Sequence, residues 1–124
     1  MAQLAKRQSA GGLTRLEEIA QSEAVSANFL VQILNDLRRA GLVESRRGQS
    51  GGYFLARPAA EITLRQVVEA VEPGLLQVSV TGDGESGVPV KQAWQRVSEG
   101  TRRVMDEQTI ESLLQEGGAP MFYI

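Results

Sequence analysis

The sequence contains neither cysteine nor histidine among its 124 residues. The absence of cysteine excludes disulfides, thiol redox chemistry and iron–sulfur clusters held by thiolates, and the two absences together exclude the common zinc sites. The missing side chains are also those that enzymes use most as nucleophile and general base near neutral pH. Neither a G-x-S-x-G motif nor a glycine-rich phosphate loop occurs. We therefore expect a protein that is not an enzyme and that holds no metal and no iron–sulfur cofactor.

Long apolar runs are missing as well, because no stretch of about 18 apolar residues and no secretory signal peptide occurs. We therefore expect a soluble, cytoplasmic protein that makes no contact with a membrane. The length allows one domain, or a small domain followed by one long helix. A composition that is 42% hydrophobic and 23% charged predicts an ordinary globular fold.

Charge is unevenly distributed along the chain. The net charge is −2, but the segment 38–57 holds five arginines and a single acid, Glu44, and therefore carries +4. A basic block on an acidic chain is typical of a surface that faces a polyanion such as nucleic acid. The alternative is a solvated face with no ligand. The five arginines are Arg38, Arg39, Arg46, Arg47 and Arg57.

The first half of the chain predicts two short helices followed by a longer one. The pattern of Met1–Ser9 is helical, and Thr14 with Glu17 fits a capping box at the start of the second helix. Ser26 can cap the third helix, whose apolar residues recur at i, i+3, i+4 and i+7. These residues are Leu30, Ile33, Leu34 and Leu37.

Two predicted strands follow, Leu42–Arg46 and Tyr53–Ala56, joined through the flexible stretch R-G-Q-S-G-G. A short helix, a turn, a longer helix and a hairpin in this order predict a winged helix-turn-helix. The fold class is therefore mainly α with a small β-hairpin wing, to which the second half of the chain adds a long C-terminal helix.

The second half predicts three further helices. Thr63 can cap the first, a longer helix runs from Val90, and the last spans Ile110–Glu116 with Thr109 as its cap. We expect a DNA-binding domain at 1–74, a connecting loop with dimerisation helices at 75–116, and a flexible tail at 117–124.

The long helix carries apolar side chains along one stripe. Such a stripe can pack on its own domain or on the same helix of a second chain. We favour a homodimer, because one small domain makes few contacts and would bind DNA weakly alone. The residues expected at the dimer interface are Val90, Ala93, Trp94, Val97, Val104 and Met105.

In a helix-turn-helix the second helix presents its N-terminal side chains to base edges in the major groove. Asn28 and Gln32 can pair with adenine, and Phe29 or Val31 can contact a thymine methyl group. Arginines beside glycines in the hairpin suit phosphates or a narrow minor groove. The alternative is a helix pair packed in a core, with these residues merely at its surface. The residues expected to contact double-stranded DNA are Ser26, Ala27, Asn28, Phe29, Val31, Gln32, Arg46, Arg47 and Gln49.

The stretch VSANFLVQILNDLRRAGLVESRRGQSGGYFLARP, followed by EITLRQVVEAVE, resembles the IscR/CymR/NsrR family of bacterial winged-helix regulators. The likeness continues through AWQRVSEGTRRVMDEQTIESLL. It implies a homodimeric transcription regulator in which Ser26, Asn28, Phe29 and Val31 face bases and Arg47 contacts DNA from the wing. Many relatives hold an iron–sulfur cluster on cysteines before the long helix. The matching stretch LQVSVTGDGESGVPVKQAW has no cysteine, so this chain resembles the cluster-free branch.

The chain ends in Met121, Phe122, Tyr123 and Ile124, and this ending is similar to that of the CymR group of cysteine-metabolism repressors. A terminal isoleucine is also the feature by which serine acetyltransferase enters the active site of cysteine synthase (O-acetylserine thiol-lyase). The resemblance therefore implies a repressor of cysteine and sulfur genes whose tail binds cysteine synthase, with its free carboxylate in place of the substrate carboxylate. The alternative is a tail that folds onto the surface of its own dimer.

Three departures from the family pattern leave a second hypothesis open. Relatives usually have Tyr where Phe29 stands and Glu where Val31 stands, so the operator sequence cannot be inherited from them. Relatives also begin with a basic segment that this sequence lacks, which predicts weaker DNA binding. The second hypothesis is an interaction module that regulates cysteine synthase through its tail and binds DNA weakly. A sensor that binds a small molecule in the loop 82–88 has no positive support in the sequence.

Overall fold

The computed structural model of the chain describes residues 1–77 and 83–117. Within them, six α-helices and one antiparallel β-hairpin follow the predicted order, so the expected mainly α fold with a small hairpin is confirmed. None of the helices in the described ranges is long and apolar enough to cross a membrane. The elements are α1 (Ala2–Ser9), α2 (Leu16–Ser22), α3 (Ala27–Arg39), β1 (Val43–Arg46), β2 (Gly52–Leu55), a 3₁₀ turn (Ala59–Glu61), α4 (Leu64–Val71), α5 (Gly87–Glu107) and α6 (Ile110–Gly117).

Helix α3 forms where the local sequence signals are strongest. The Ser26 hydroxyl oxygen accepts a hydrogen bond from the backbone N–H of Phe29 at 3.2 Å, which confirms the predicted N-cap. The three leucines of the predicted stripe are buried on the inner side of the helix. Gly41 follows the helix with a φ of +75°, which glycine adopts without steric cost, and the chain turns there into β1.

One hydrophobic core joins the helices to the hairpin and reaches α6. Ile110, the first residue of α6, is 2% exposed, and its backbone N–H donates to the carbonyl of Ile62 at 2.9 Å. The core of the described residues thus crosses the predicted boundary at residue 74, and the division at that point stays a prediction. The buried apolar residues are Leu4, Ala5, Ile19, Leu30, Leu34, Leu37, Leu42, Val43, Leu55, Ile62 and Ile110.

The hairpin is attached to the segment that precedes α2. Strands β1 and β2 pair in antiparallel register, and Thr14 pairs with the other edge of β2 through two backbone hydrogen bonds with Tyr53, of 3.1 and 2.8 Å. A Cβ atom on Gly52 would lie 2.8 Å from the carbonyl oxygen of Thr14, so glycine is needed for this close approach. The hairpin is therefore held against the helices along one of its edges.

The capping box predicted at Thr14 and Glu17 is wrong. Arg15 occupies the N-cap position of α2, and that end of the helix has no side-chain cap. Thr14 is only 2% exposed, and its hydroxyl oxygen has no hydrogen-bond partner among the described residues. The backbone of Thr14 pairs instead with Tyr53, because two strand-like hydrogen bonds satisfy its backbone N–H and its backbone carbonyl.

An ion pair between Arg65 and Asp106 ties helix α4 to α5. Thr63 and Gln66 form a reciprocal capping box at the start of α4. In the same first turn, Arg65 donates to Glu69 at 3.1 Å and to Asp106 of α5 at 2.9 Å. The hydrogen bond to Glu69, followed by the one to Asp106, raises the pKa of Arg65 above its ordinary value.

The last two helices differ little from their predicted bounds. Helix α5 begins at Gly87, three residues before the predicted Val90. The proline at position 89 does not prevent this, because it lies in the first turn, where backbone N–H groups lack helical partners. The predicted cap of α6 is confirmed, since the Thr109 hydroxyl oxygen accepts from the Ser112 N–H at 3.0 Å. The Ser112 hydroxyl oxygen accepts in return from the Thr109 N–H at 2.9 Å.

Replacing Ile110 by alanine is expected to lower the free energy of unfolding by about 2–5 kcal/mol, because the change leaves a cavity in the core. The matched control is Leu75→Ala, where the side chain is 63% exposed, and the expected change there stays within about 0.5 kcal/mol. Urea unfolding followed by circular dichroism measures both values. Equal losses in the two variants would contradict the placement of α6 in the core.

Candidate nucleic-acid interface

The outer side of α3 is exposed along its first two turns. Asn28 and Gln32 lie four residues apart and therefore share one face, away from the buried leucines. Phe29 is 55% exposed, so most of its ring is available to a partner. Ala27 is exposed and Val31 is half-buried. The predicted α3 residues thus lie together at the N-terminal end of the helix.

This end of α3 can attract an anion and read bases. Its first turn contains no acidic residue, so the partial positive charge of the helix N-terminus is not offset there. The Ser26 oxygen accepts the capping bond, which leaves the hydroxyl hydrogen to donate. The amides of Asn28 and Gln32 each offer a donor and an acceptor, the pattern that matches the major-groove edge of adenine.

The hairpin end brings the predicted wing residues together. Arg46, Arg47 and Gln49 are all exposed. The guanidinium carbon of Arg46 lies 5.7 Å from the ring centroid of Phe54, and cation–π attraction favours this position along the hairpin. A Cβ atom on Gly51 would lie 2.1 Å from the carbonyl oxygen of Arg46, so the turn closes in this form only with glycine.

Arg15 was not among the residues predicted from the sequence, and it joins the wing to the helices. Its guanidinium donates a hydrogen bond to the backbone carbonyl of Gln49 at the wing tip. Arg15 is exposed, so it adds a further positive charge to the wing. No local pattern identifies this contact, because the pairing of Thr14 with Tyr53 is what brings the two segments together.

A shallow cavity of about 560 Å³ lies between the C-terminal half of α3 and β1. Asn35, Arg38 and Arg39 line it from α3. Glu44 and Ser45 line it from β1, so the cavity carries two positive charges against one negative charge. None of these five residues was included in the predicted contact set, although both arginines belong to the basic block of the sequence.

Helix α5 exposes a stripe of apolar side chains. Four of the predicted dimer residues follow at spacings of four, three and seven, which puts them on one side of the helix. Their exposed fractions run from 43% to 58%. Ala93 is exposed as well, whereas Met105 is half-buried. The four residues of the stripe are Val90, Trp94, Val97 and Val104.

The predicted partner-binding tail lies outside the residues that the structure describes. Its role therefore stays a prediction. The tail residues are Met121, Phe122, Tyr123 and Ile124.

Comparison with known proteins gives a consistent result. The chain is 37% identical to the transcriptional regulator CymR of Bacillus subtilis over 129 residues, covering all of this chain and 91% of CymR. It is 45% identical to the regulator IscR of Cereibacter sphaeroides over 85 residues, covering 68% of this chain and 54% of IscR. Among solved structures, B. subtilis CymR superposes with a TM-score of 0.81 at 34% identity, covering 93% of this chain and 87% of CymR. IscR of T. potens superposes with a TM-score of 0.77 at 30% identity, covering 98% and 85%.

A family described as iron-dependent transcriptional regulators, Rrf2, matches residues 1–116. Iron–sulfur clusters need thiolate or imidazole ligands, and the sequence contains neither. The described part of the chain also brings together no group of three or more acidic side chains that could hold a metal ion. The residues present therefore do not fit an iron–sulfur cluster held by thiolates or imidazoles. Because the match spans nearly the whole chain and accompanies the identity to CymR, the chain belongs to the Rrf2 family of transcriptional regulators.

Proposed function

We propose that this protein is a homodimeric DNA-binding regulator that represses genes of cysteine and sulfur metabolism. The observation that carries the proposal is the exposed N-terminal face of α3 beside an arginine-bearing wing that is anchored to the same domain. Similarity to CymR, named as the global cysteine regulator of B. subtilis, supports the choice of genes. Family membership sets the class of protein, and the geometry suggests the contacts with DNA.

In the proposed complex, α3 enters the major groove by its N-terminal end, where Asn28 and Gln32 meet base edges. The wing reaches the neighbouring minor groove, and Arg47 binds a phosphate or the narrow groove itself. In this arrangement the sugar–phosphate strand between the two grooves would pass the cavity between α3 and β1. Arg38 at its edge contacts the phosphates of that strand.

The change Arg47→Ala is expected to weaken operator binding by about 1–3 kcal/mol if Arg47 contacts a base or the groove, and mainly to reduce the salt slope, by about one, if it contacts a phosphate. The matched control is Arg103→Ala, which removes the same charge from an exposed position on α5. Fluorescence anisotropy at several salt concentrations, on duplexes selected from a random pool, measures both. Equal affinity and slope for Arg47→Ala and wild type would rule out the wing contact.

Dimerisation through α5 is proposed because its stripe leaves large apolar side chains in water. Trp94 and Val97 are more than half exposed in the single chain. Burying them against the same stripe of a second copy removes apolar surface from both chains at once. A two-fold dimer also presents two α3 helices to two half-sites, which supplies the contacts that one small domain lacks.

The change Val97→Glu is expected to convert the dimer to a monomer, because a carboxylate would have to be buried without a partner. The control is Arg103→Glu, which lies nine residues from Trp94, about 180° around the helix at about 100° per residue. Size-exclusion chromatography with light scattering gives the molar mass of each variant. A Val97→Glu protein that keeps the dimer mass would place the interface elsewhere.

We propose that the regulator is controlled by binding to cysteine synthase, and that its C-terminal tail makes this contact. The free carboxylate of Ile124 would occupy the substrate carboxylate site, and the apolar side chains before it would fill the mouth of the cleft. O-acetylserine competes for the same site, so precursor supply would set the amount of complex. The resemblance of the last four residues to the ending of the CymR group is what suggests this partner.

Deleting Ile124 is expected to weaken binding to cysteine synthase at least tenfold, or about 1.4 kcal/mol, because the tail then ends one residue short. The control is Glu111→Ala, an exposed change on α6 that leaves the tail intact. Isothermal titration calorimetry, with O-acetylserine as competitor, measures both. If the shortened chain binds as tightly as the full one, the tail mechanism fails, whereas tail binding without any operator binding would favour the interaction-module hypothesis.

A further inference from the structure

A second cavity, of about 400 Å³, lies between α4, the turn that follows it, and α5. This volume falls within the range of small-ligand sites, which is roughly 300–1,000 Å³. The cavity is separate from the α3 face and the wing, and it is not part of the exposed α5 stripe. Its lining residues are Arg65, Glu69, Pro73, Gly74, Leu76, Gln77 and Arg102.

The walls of this cavity carry oriented charges. Arg102 donates from Nη2 to the backbone carbonyl of Leu76 at 2.7 Å, which fixes its guanidinium against the turn. Arg65 is held by Oε1 of Glu69 and by Asp106. Among the bonds of the described residues, Glu69 uses only Oε1, so its second oxygen remains available as an acceptor.

The charges of the site decide which ligand it favours. The lining carries two guanidiniums, of Arg65 and Arg102, and one carboxylate, of Glu69. Asp106, which lies outside the lining, pairs with Arg65 from α5, so the four charged groups together sum to zero. A dianion or a dication would therefore leave net charge at this partly exposed site, whereas a molecule with one charge of each sign would not. Arginine binds carboxylates well because its planar fork can donate two parallel hydrogen bonds.

We propose that this cavity binds a small zwitterionic amino acid, with its carboxylate on Arg102 and its ammonium group on Glu69. The amide of Gln77 at the rim can accept from or donate to the rest of the ligand. The site goes beyond the proposed function, because binding there requires neither DNA nor cysteine synthase.

The position of the cavity gives such a ligand an effect on the rest of the molecule. Arg65 already joins α4 to Asp106 of α5, and Arg102 joins α5 to the turn after α4. A ligand held between the same elements would fix the angle between α5 and the DNA-binding helices. If α5 forms the dimer interface, which is part of the proposed function, that angle sets the separation of the two α3 helices, and ligand and DNA affinities become coupled.

The test is calorimetric titration of the full chain with glycine, L-serine and O-acetyl-L-serine, in the absence of DNA. Saturable binding of at least one amino acid is expected. Its amide, which lacks the carboxylate, and its deaminated analogue, which lacks the ammonium group, should each bind at least tenfold more weakly. These two comparisons use the unchanged protein, so they do not depend on whether a variant folds.

Variants then locate the binding. Arg102→Gln is expected to weaken binding at least tenfold, whereas Arg103→Gln, on the exposed side of the same helix, leaves it unchanged. Glu69→Gln should remove most of the preference for the amino acid over its deaminated analogue. The proposal is overturned if none of the three amino acids binds at millimolar concentration, or if Arg102→Gln and Arg103→Gln bind alike. Neither result affects the DNA-binding proposal, because no DNA is present.

Discussion

The two backbone hydrogen bonds between Thr14 and Tyr53 fix the hairpin to the helical part of the protein. A hairpin of two four-residue strands is only marginally stable by itself in water. The pairing with Thr14 gives it a third extended partner, and Gly52 makes the approach possible because it has no Cβ atom. Arg15 adds a hydrogen bond at the wing tip. The orientation of the wing relative to α3, on which any two-groove contact with DNA depends, follows from this attachment.

Local signals predicted the elements whose ends are set by neighbouring residues. Helix α3 begins at its Ser26 cap, and α4 begins at Thr63, because the donors they satisfy are three residues away. The error at Thr14 has the opposite cause. The residues from Thr14 onwards fit a capping box, but the backbone of Thr14 forms hydrogen bonds with β2, which lies far along the chain. The bond between Arg15 and Gln49 could not be predicted for the same reason, since 34 residues separate them.

The candidate DNA surface was predicted in part. The side chains on the outer face of α3 follow directly from helical periodicity once the buried leucines are known. The cavity beside Arg38 depends on how β1 packs against α3, which periodicity does not fix. The ion pair of Arg65 with Asp106 likewise joins two elements that only the fold brings together, and the cavity between α4 and α5 arises in the same way.

The central claim is that α3 and the wing read DNA as one unit, twice per dimer. Selection of bound duplexes from a random-sequence pool, followed by footprinting of the selected site, tests it most directly. The account predicts an inverted repeat whose half-sites are centred about one helical turn, or a multiple of about 10 base pairs, apart. Protection should cover the major groove of each half-site and the adjacent minor groove. A pool that yields no enriched sequence, or a site without two-fold symmetry and without minor-groove protection, would contradict it.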